Sequence, residues 1–126
     1  MKIENLKNHQ PGDIIHNIIA KVELIIISTK SSLSNNKSIS VIEALIYDET
    51  GSIILKSVDY DIEKGQILEI SNGILEVVEG ELRLVSRPPA SVISHLSNNS
   101  DLDNVEYDPN LNNLSFNLVQ YIYPTE

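Results

Sequence analysis

Four groups of polar side chains could carry chemistry in this chain, and each implies a different kind. Asp59, Asp61 and Glu63 are clustered carboxylates. General acid–base catalysis uses such groups, one held protonated near another that is ionised. No nucleophile–base pair, glycine-rich phosphate loop or dinucleotide fingerprint accompanies them, so they assemble no catalytic constellation and the chain reads as non-enzymatic. His9, His16 and His95 show neither HxH nor HExxH spacing, and there are no cysteines to join them, so no zinc site is expected. Asp101, Asp103 and Glu106 follow a calcium loop only in part. The glycine that such a loop needs at its turn is missing, and Pro109 follows Asp108, so these acids read as a solvated linker. No metal or other cofactor is expected.

The remaining group is cationic. Lys30, Lys37, Lys56 and Arg83 are spread over four segments of the chain. Nine basic residues stand against eighteen acidic ones, for a formal charge of −9. A polyanion binder needs a basic footprint, and here it would have to be local. The lack of cysteine excludes a disulfide framework and a thiol nucleophile, and it fits an intracellular protein. No apolar run approaches the roughly 20 residues of a membrane span. The longest, Leu24-Ile25-Ile26-Ile27, has strand length. The opening Met1-Lys2-Ile3-Glu4-Asn5 has no leader pattern, so the expectation is a soluble, non-secreted protein.

The elements that must position these cations are strands. Ile14 to Ile27 is rich in β-branched residues, with polar Asn17, Lys21 and Glu23 interspersed, and predicts one long bent strand. Ser31 to Ser38 predicts a hairpin loop. Ile39 to Tyr47 predicts a second strand, its alternation broken by a bulge. Asp48-Glu49-Thr50-Gly51 predicts a tight hairpin, with Asp48 bonding the turn backbone and Gly51 supplying positive φ. Ser52 to Val58 is the third strand. The short polar stretch Asp59 to Lys64 has room for one or two helical turns, ended by Gly65. Gln66 to Val78 is the fourth strand, kinked or bulged at Asn72-Gly73. Glu79-Gly80 is a turn and Glu81 to Val85 the fifth strand. Pro88-Pro89 ends the ladder. Five strands at short intervals predict a small all-β barrel, and periodicity alone fits an OB or an SH3-like one.

Residues 1–89 form the predicted domain. Residues 90–126 form a polar linker and C-terminal tail, which would pack on the barrel or on a partner. Within it, Leu111, Leu114, Leu118 and Ile122 have near-helical spacing, whereas Leu114, Phe116 and Leu118 alternate as a strand would. Phe116, Tyr121 and Tyr123 give the tail three rings.

Four phrases carry a resemblance over about residues 3 to 87. They are Lys2-Ile3 with Leu6-Lys7 and Pro11-Gly12; Asp48-Glu49-Thr50-Gly51 before an isoleucine strand; Gly65-Gln66-Ile67-Leu68; and Gly73, Gly80, Leu82 and Leu84. In this order they resemble the single-OB-domain single-stranded DNA-binding proteins of archaea and of eukaryotic nuclei, including the OB subunit of the sensor of single-stranded DNA complex. The resemblance implies an all-β, five-stranded OB-fold barrel with a C-terminal extension. It also implies an intracellular, nuclear protein that binds single-stranded DNA in replication, repair or telomere maintenance. Such proteins stack bases on aromatic residues of one face, each stack being worth roughly 1–3 kcal/mol.

Here the matching positions are aliphatic: Val58, Ile74, Val78 and Val85. Alternation places Ile53, Leu55, Leu82 and Leu84 in the core, and Ile54, Lys56, Val58, Glu81, Arg83 and Val85 on the groove face. Lys56 and Arg83 are then candidate phosphate contacts, or ordinary solvated charges. Lys30 and Lys37 flank the loop that would clasp a strand. Tyr60 is a candidate displaced stacking ring, while Tyr47 reads as half-buried barrel edge. The expected nucleic-acid-binding set is thus Lys30, Lys37, Lys56, Val58, Tyr60, Ile74, Val78, Arg83 and Val85. The alternative is a non-catalytic interaction subunit of a single-strand-binding or telomere complex, whose aliphatic face or tail binds a larger protein.

Overall fold

A computed structural model describes residues 1–32, 38–97 and 102–116. Six strands form one sheet: β1 (Ile14–Ser32), β2 (Ser38–Asp48), β3 (Gly51–Val58), β4 (Ile67–Val78), β5 (Glu81–Ser86) and β6 (Val92–Leu96). The order is β1-β2-β3-β5-β4-β6, and β1 also pairs with β4. The first five strands therefore close into a ring. All pairs are antiparallel except β3–β5, which is parallel. This is the five-stranded OB barrel that the sequence resemblance implied.

β1 closes the ring because it serves two neighbours. Its first part, Ile14 to Lys21, pairs with β4, and its second part, Lys21 to Ser32, pairs with β2. The bend that this requires is built from register shifts between Val22 and Leu24 and between Ile25 and Ile27. The bulges thus lie in β1 at Glu23 and Ile26, not in β2 as the broken alternation of β2 suggested. An extra residue on one strand adds bend and twist, which a barrel of few strands needs.

β4 also changes partner along its length. Its first half pairs with β6 and its second half with β5. The switch occurs at Asn72, whose φ is 59°, beside Gly73. Gly73 packs under the core: a Cβ there would lie 2.8 Å from Leu84 Cδ1. The expected kink is present and has this packing reason. Gly51, in contrast, is ordinary extended backbone. It is a glycine because a Cβ would lie 3.0 Å from the Asn112 carbonyl oxygen. The stretch Asp59 to Gln66 contains no helical turn. It does bury Ile62, which joins the core.

The core is built from inward-pointing aliphatic residues, among them Ile18, Ala20, Ala44, Ile46, Ile53, Leu55, Leu68, Leu82 and Leu84. A 3₁₀ helix, Ile3–Asn8, plugs one end of the barrel with Ile3 and Leu6. Asp48 anchors it. Its carboxylate accepts hydrogen bonds from Ile3 N–H at 2.8 Å, from Thr50 N–H at 2.8 Å and from the Thr50 hydroxyl at 2.6 Å. The turn bonding expected of Asp48 is there, and the same group also ties down the N-terminus.

The chain continues past the prolines as an ordered part of the barrel surface. β6 follows them, which the sequence pattern did not foretell. Ser91, just before it, links Ser86, Ser71 and Tyr60 through its hydroxyl and carbonyl. Leu102 and Leu114 are buried, and Tyr107 packs edge-on against Tyr47 at 5.5 Å between ring centres. A second 3₁₀ helix, Leu114–Phe116, places the Ser115 hydroxyl between β3 and β5. It accepts from Ile54 N–H at 2.9 Å and donates to the Leu82 carbonyl. Tyr121 and Tyr123 lie outside the described residues, as do Leu118 and Ile122.

Candidate nucleic-acid interface

The outer face of β2, β3, β5 and β4 gathers most of the expected site. Cross-strand register sets one row as Glu43, Lys56, Val85 and Ile74, and the next as Leu45, Ile54, Arg83 and Glu76. Val58 lies beyond the first row, opposite Val41, and Val78 beyond the second, opposite Glu81. Directly opposed residues share a face, so Lys56, Val58, Ile74, Val78, Arg83 and Val85 all project from one surface. None of them belongs to the core, whereas Ile53, Leu55, Leu82 and Leu84 all do. The division of β3 and β5 into two faces matches the alternation in the sequence.

Accessibility on that face is uneven. Ile54 is 3% exposed and Val85 1% although both point outward. They form a second apolar layer with Leu45, separate from the core. In this conformation neither offers a base an open surface. Val58, Ile74 and Val78 are half-buried. Outward aliphatic residues beneath long charged neighbours are shielded by the stems of those neighbours.

Arg83 is not a free phosphate contact in this structure. It is 8% exposed. Its Nη1 donates to Glu43 at 2.5 Å and its Nη2 to Glu81 at 2.6 Å. Arg87 is likewise held by Glu76 at 2.9 Å. Lys56 lies directly opposite Glu43, yet the Glu43 carboxylate goes to Arg83. The Lys56 side chain is half-buried and makes no ion pair among the described residues. It is therefore the face's available cation.

The other expected residues are placed differently. Lys30 is exposed near the far end of β1, opposite Ser40. Thr29, its neighbour, faces the Val41–Val58 side, so alternation turns Lys30 to the opposite face. Lys37 lies outside the described residues. Tyr60 packs against the core and donates its hydroxyl to the Ser91 carbonyl at 3.0 Å. A ring so engaged supports the barrel end and is not presented for stacking. Tyr47, 5% exposed, donates its hydroxyl to the Val105 carbonyl at 3.2 Å. Burial, reinforced by Glu23 and Glu106, pushes its phenol above the ordinary value, so it stays a neutral donor.

The sequence reading overlooked Glu43. Parity could have found it, since Ile42, Ala44 and Ile46 are core residues and Glu43 must then face outward. That Arg83 reaches it across β3 depends on sheet order, which parity does not contain. Among the described residues, no group of three or more His, Asp or Glu side chains is placed to hold a metal. No described helix is long and apolar enough to cross a membrane.

Comparisons with known proteins agree with the topology. The whole chain aligns with 86% of a hypothetical protein from Arabidopsis thaliana, at 24% identity and a TM-score of 0.67. The second OB-fold domain of replication protein A from Methanococcus maripaludis aligns over 79% of this chain and 96% of its own, at 21% identity and a TM-score of 0.58. An OB domain from Thermoplasma acidophilum aligns over 66% of this chain and 76% of its own, at 22% identity and a TM-score of 0.56. Among curated proteins no sequence matches. The profile of the family described as single-stranded DNA binding protein Ssb-like, OB fold, matches residues 9–91, which contain five strands of the ring. With the ring closed through a parallel β3–β5 pair, and that profile spanning more than half its length, the chain belongs to the Ssb-like OB-fold family of single-stranded DNA-binding proteins.

Proposed function

We propose that this protein binds single-stranded DNA on the outer face of β2, β3, β5 and β4. Membership of the Ssb-like family carries the reading. Lys56 supplies a phosphate contact, whereas Lys30, turned to the opposite face near the end of β1, adds only long-range charge. Val58, Ile74 and Val78 give sugars and base edges an aliphatic surface in place of rings. Stacking contributes little here, so binding is weak, salt-sensitive and nearly indifferent to sequence. The cellular role in this reading is replication, repair or telomere maintenance in the nucleus, with the chain as an OB subunit resembling that of the sensor of single-stranded DNA complex.

Fluorescence anisotropy with labelled oligo-dT at 20 and 200 mM salt tests the proposal. Affinity should fall steeply between the two, by about tenfold or more if a few phosphates are contacted. Lys56→Ala should weaken binding by a similar factor for every oligonucleotide sequence. No binding to any oligonucleotide at the lower salt would overturn the reading.

One observation favours a second reading. Leu24 and Ile27, opposite Leu45 and Glu43 of β2, are 41% and 47% exposed, and the bulged Ile26 between them is 44% exposed. A cluster of large aliphatic residues in water is the mark of a protein contact. In that reading the barrel is a non-catalytic interaction subunit held by a larger protein. Leu24→Ser with Ile27→Ser should then abolish recovery of a partner and leave the isolated barrel folded.

A further inference from the structure

We propose that Glu43 and Glu81 are built-in competitors for phosphate, which keep Arg83 latched and set how tightly the face binds a single strand. The inference rests on the single-strand reading above and concerns the control of that same surface. Arg83 starts on β5, reaches over β3 and meets Glu43 on β2, while Glu81 holds its second terminal nitrogen from two positions away on β5. Both carboxylates occupy the donors that would otherwise meet phosphate oxygens. A carboxylate and a phosphate present the same paired-oxygen geometry to a guanidinium, so one can replace the other. Two acids around one base leave that trio with a charge of −1, which offsets the pull that neighbouring Lys56 exerts on an approaching backbone.

The latch is poised and not locked. Arg83 Nε is buried and has no hydrogen-bond partner among the described residues. A buried donor without an acceptor has lost its water and gained nothing in return. The latched arrangement therefore leaves part of the guanidinium unsatisfied. A phosphate that engages Nε together with a terminal nitrogen satisfies the guanidinium more fully. Lifting the Arg83 stem would uncover Ile54, opposite it on β3, and Val85, two residues along β5. These two outward aliphatic residues, closed in this structure, would then open together.

The test combines Glu43→Gln with Glu81→Gln. Glutamine keeps the shape and removes the charge. Binding of labelled oligo-dT is titrated at several salt concentrations, beside wild type and beside Glu63→Gln with Glu106→Gln, which removes two exposed charges from segments outside these strands. The latch predicts about a tenfold gain in affinity at low salt for the first pair. It also predicts a log–log salt slope steeper by about 0.7, the signature of one more phosphate contact on a single strand. Adding Arg83→Ala to that pair should remove both gains. An affinity gain no larger than that of the Glu63/Glu106 control, or one that survives Arg83→Ala, overturns the latch. Wild-type binding in that same titration would leave the single-strand reading standing, whereas no binding by any form would remove both. Thermal melts confirm folding. If the double variant does not fold, Glu81→Gln alone, at the more open carboxylate, should give a smaller gain of the same Arg83-dependent kind.

Discussion

Removing the Asp48 carboxylate should unfasten the barrel plug. In Asp48→Ala, two backbone N–H groups lose their acceptor, those of Ile3 and Thr50, together with the Thr50 hydroxyl. Ile3 is fully buried, so its N–H has no water to turn to. Thr50 is half-buried and can recover part of its loss from solvent. Bonds to a charged acceptor contribute roughly 1.5–3 kcal/mol each, and stranding a buried donor adds to the loss. The total is about 3–5 kcal/mol, a large share of the roughly 5–15 kcal/mol that holds a domain of this kind together. Asp48→Asn keeps the volume and one acceptor oxygen but turns an amide against a donor, and should cost about half as much. The chain has no tryptophan, so urea unfolding is best followed by far-ultraviolet circular dichroism. Hydrogen exchange at Ile3 reports the local effect. A loss below about 1 kcal/mol in Asp48→Ala, with Ile3 still protected, would refute the anchoring role.

Two further outcomes follow from local geometry. Gly73→Ala pushes a methyl group to within 2.8 Å of Leu84 Cδ1 and 3.3 Å of its Cγ, in a fully buried part of the core. It should destabilise the barrel by about 1–3 kcal/mol in urea, and a neutral result would mean that Leu84 has room to move. Glu49 is held below its ordinary value, chiefly by its hydrogen bond with the Lys2 ammonium at 2.6 Å. A depressed carboxylate stabilises the fold above its unfolded value and loses that contribution as pH falls through its folded value. Lys2→Met should therefore return the Glu49 titration, followed by nuclear magnetic resonance, to the ordinary glutamate range. It should also reduce the loss of stability on acidification.

The two faces of the sheet were legible because they depend only on parity. Ile53, Leu55, Leu82 and Leu84 alternate with Ile54, Lys56, Arg83 and Val85, and barrel closure does not alter that. The site's state was not legible because it depends on which strands are neighbours. Glu43 and Arg83 are far apart in sequence, and only the order β2-β3-β5 brings them within reach. Gly51 shows a similar limit. Beside Asp48-Glu49-Thr50 it reads as a turn glycine, yet the Asn112 carbonyl, from a distant segment, is what forbids a side chain there. β6 was hidden because Pro88-Pro89 does end β5, and only the partner switch in β4 opens a berth for another strand. The bulges were misplaced for a related reason. β2 alternates imperfectly in sequence, but the bend must occur in the strand that serves two neighbours.

Ser115 has a consequence for the order of events in folding. Its hydroxyl ties Ile54 to Leu82, and its bond to Ile54 spans 61 positions of sequence. β3 and β5 are already the one parallel pair in the ring, the kind of long-range seam that is slow to form. During synthesis from the N-terminus, all five strands of the ring emerge well before Ser115 does. Until then the Ile54 N–H and the Leu82 carbonyl have no such partner, and the seam stays ajar at that end. A nascent barrel would thus show an unsatisfied strand edge for a defined interval, when pairing with another chain competes with closure. The 3₁₀ helix Leu114–Phe116 would then be the fastening that ends this interval.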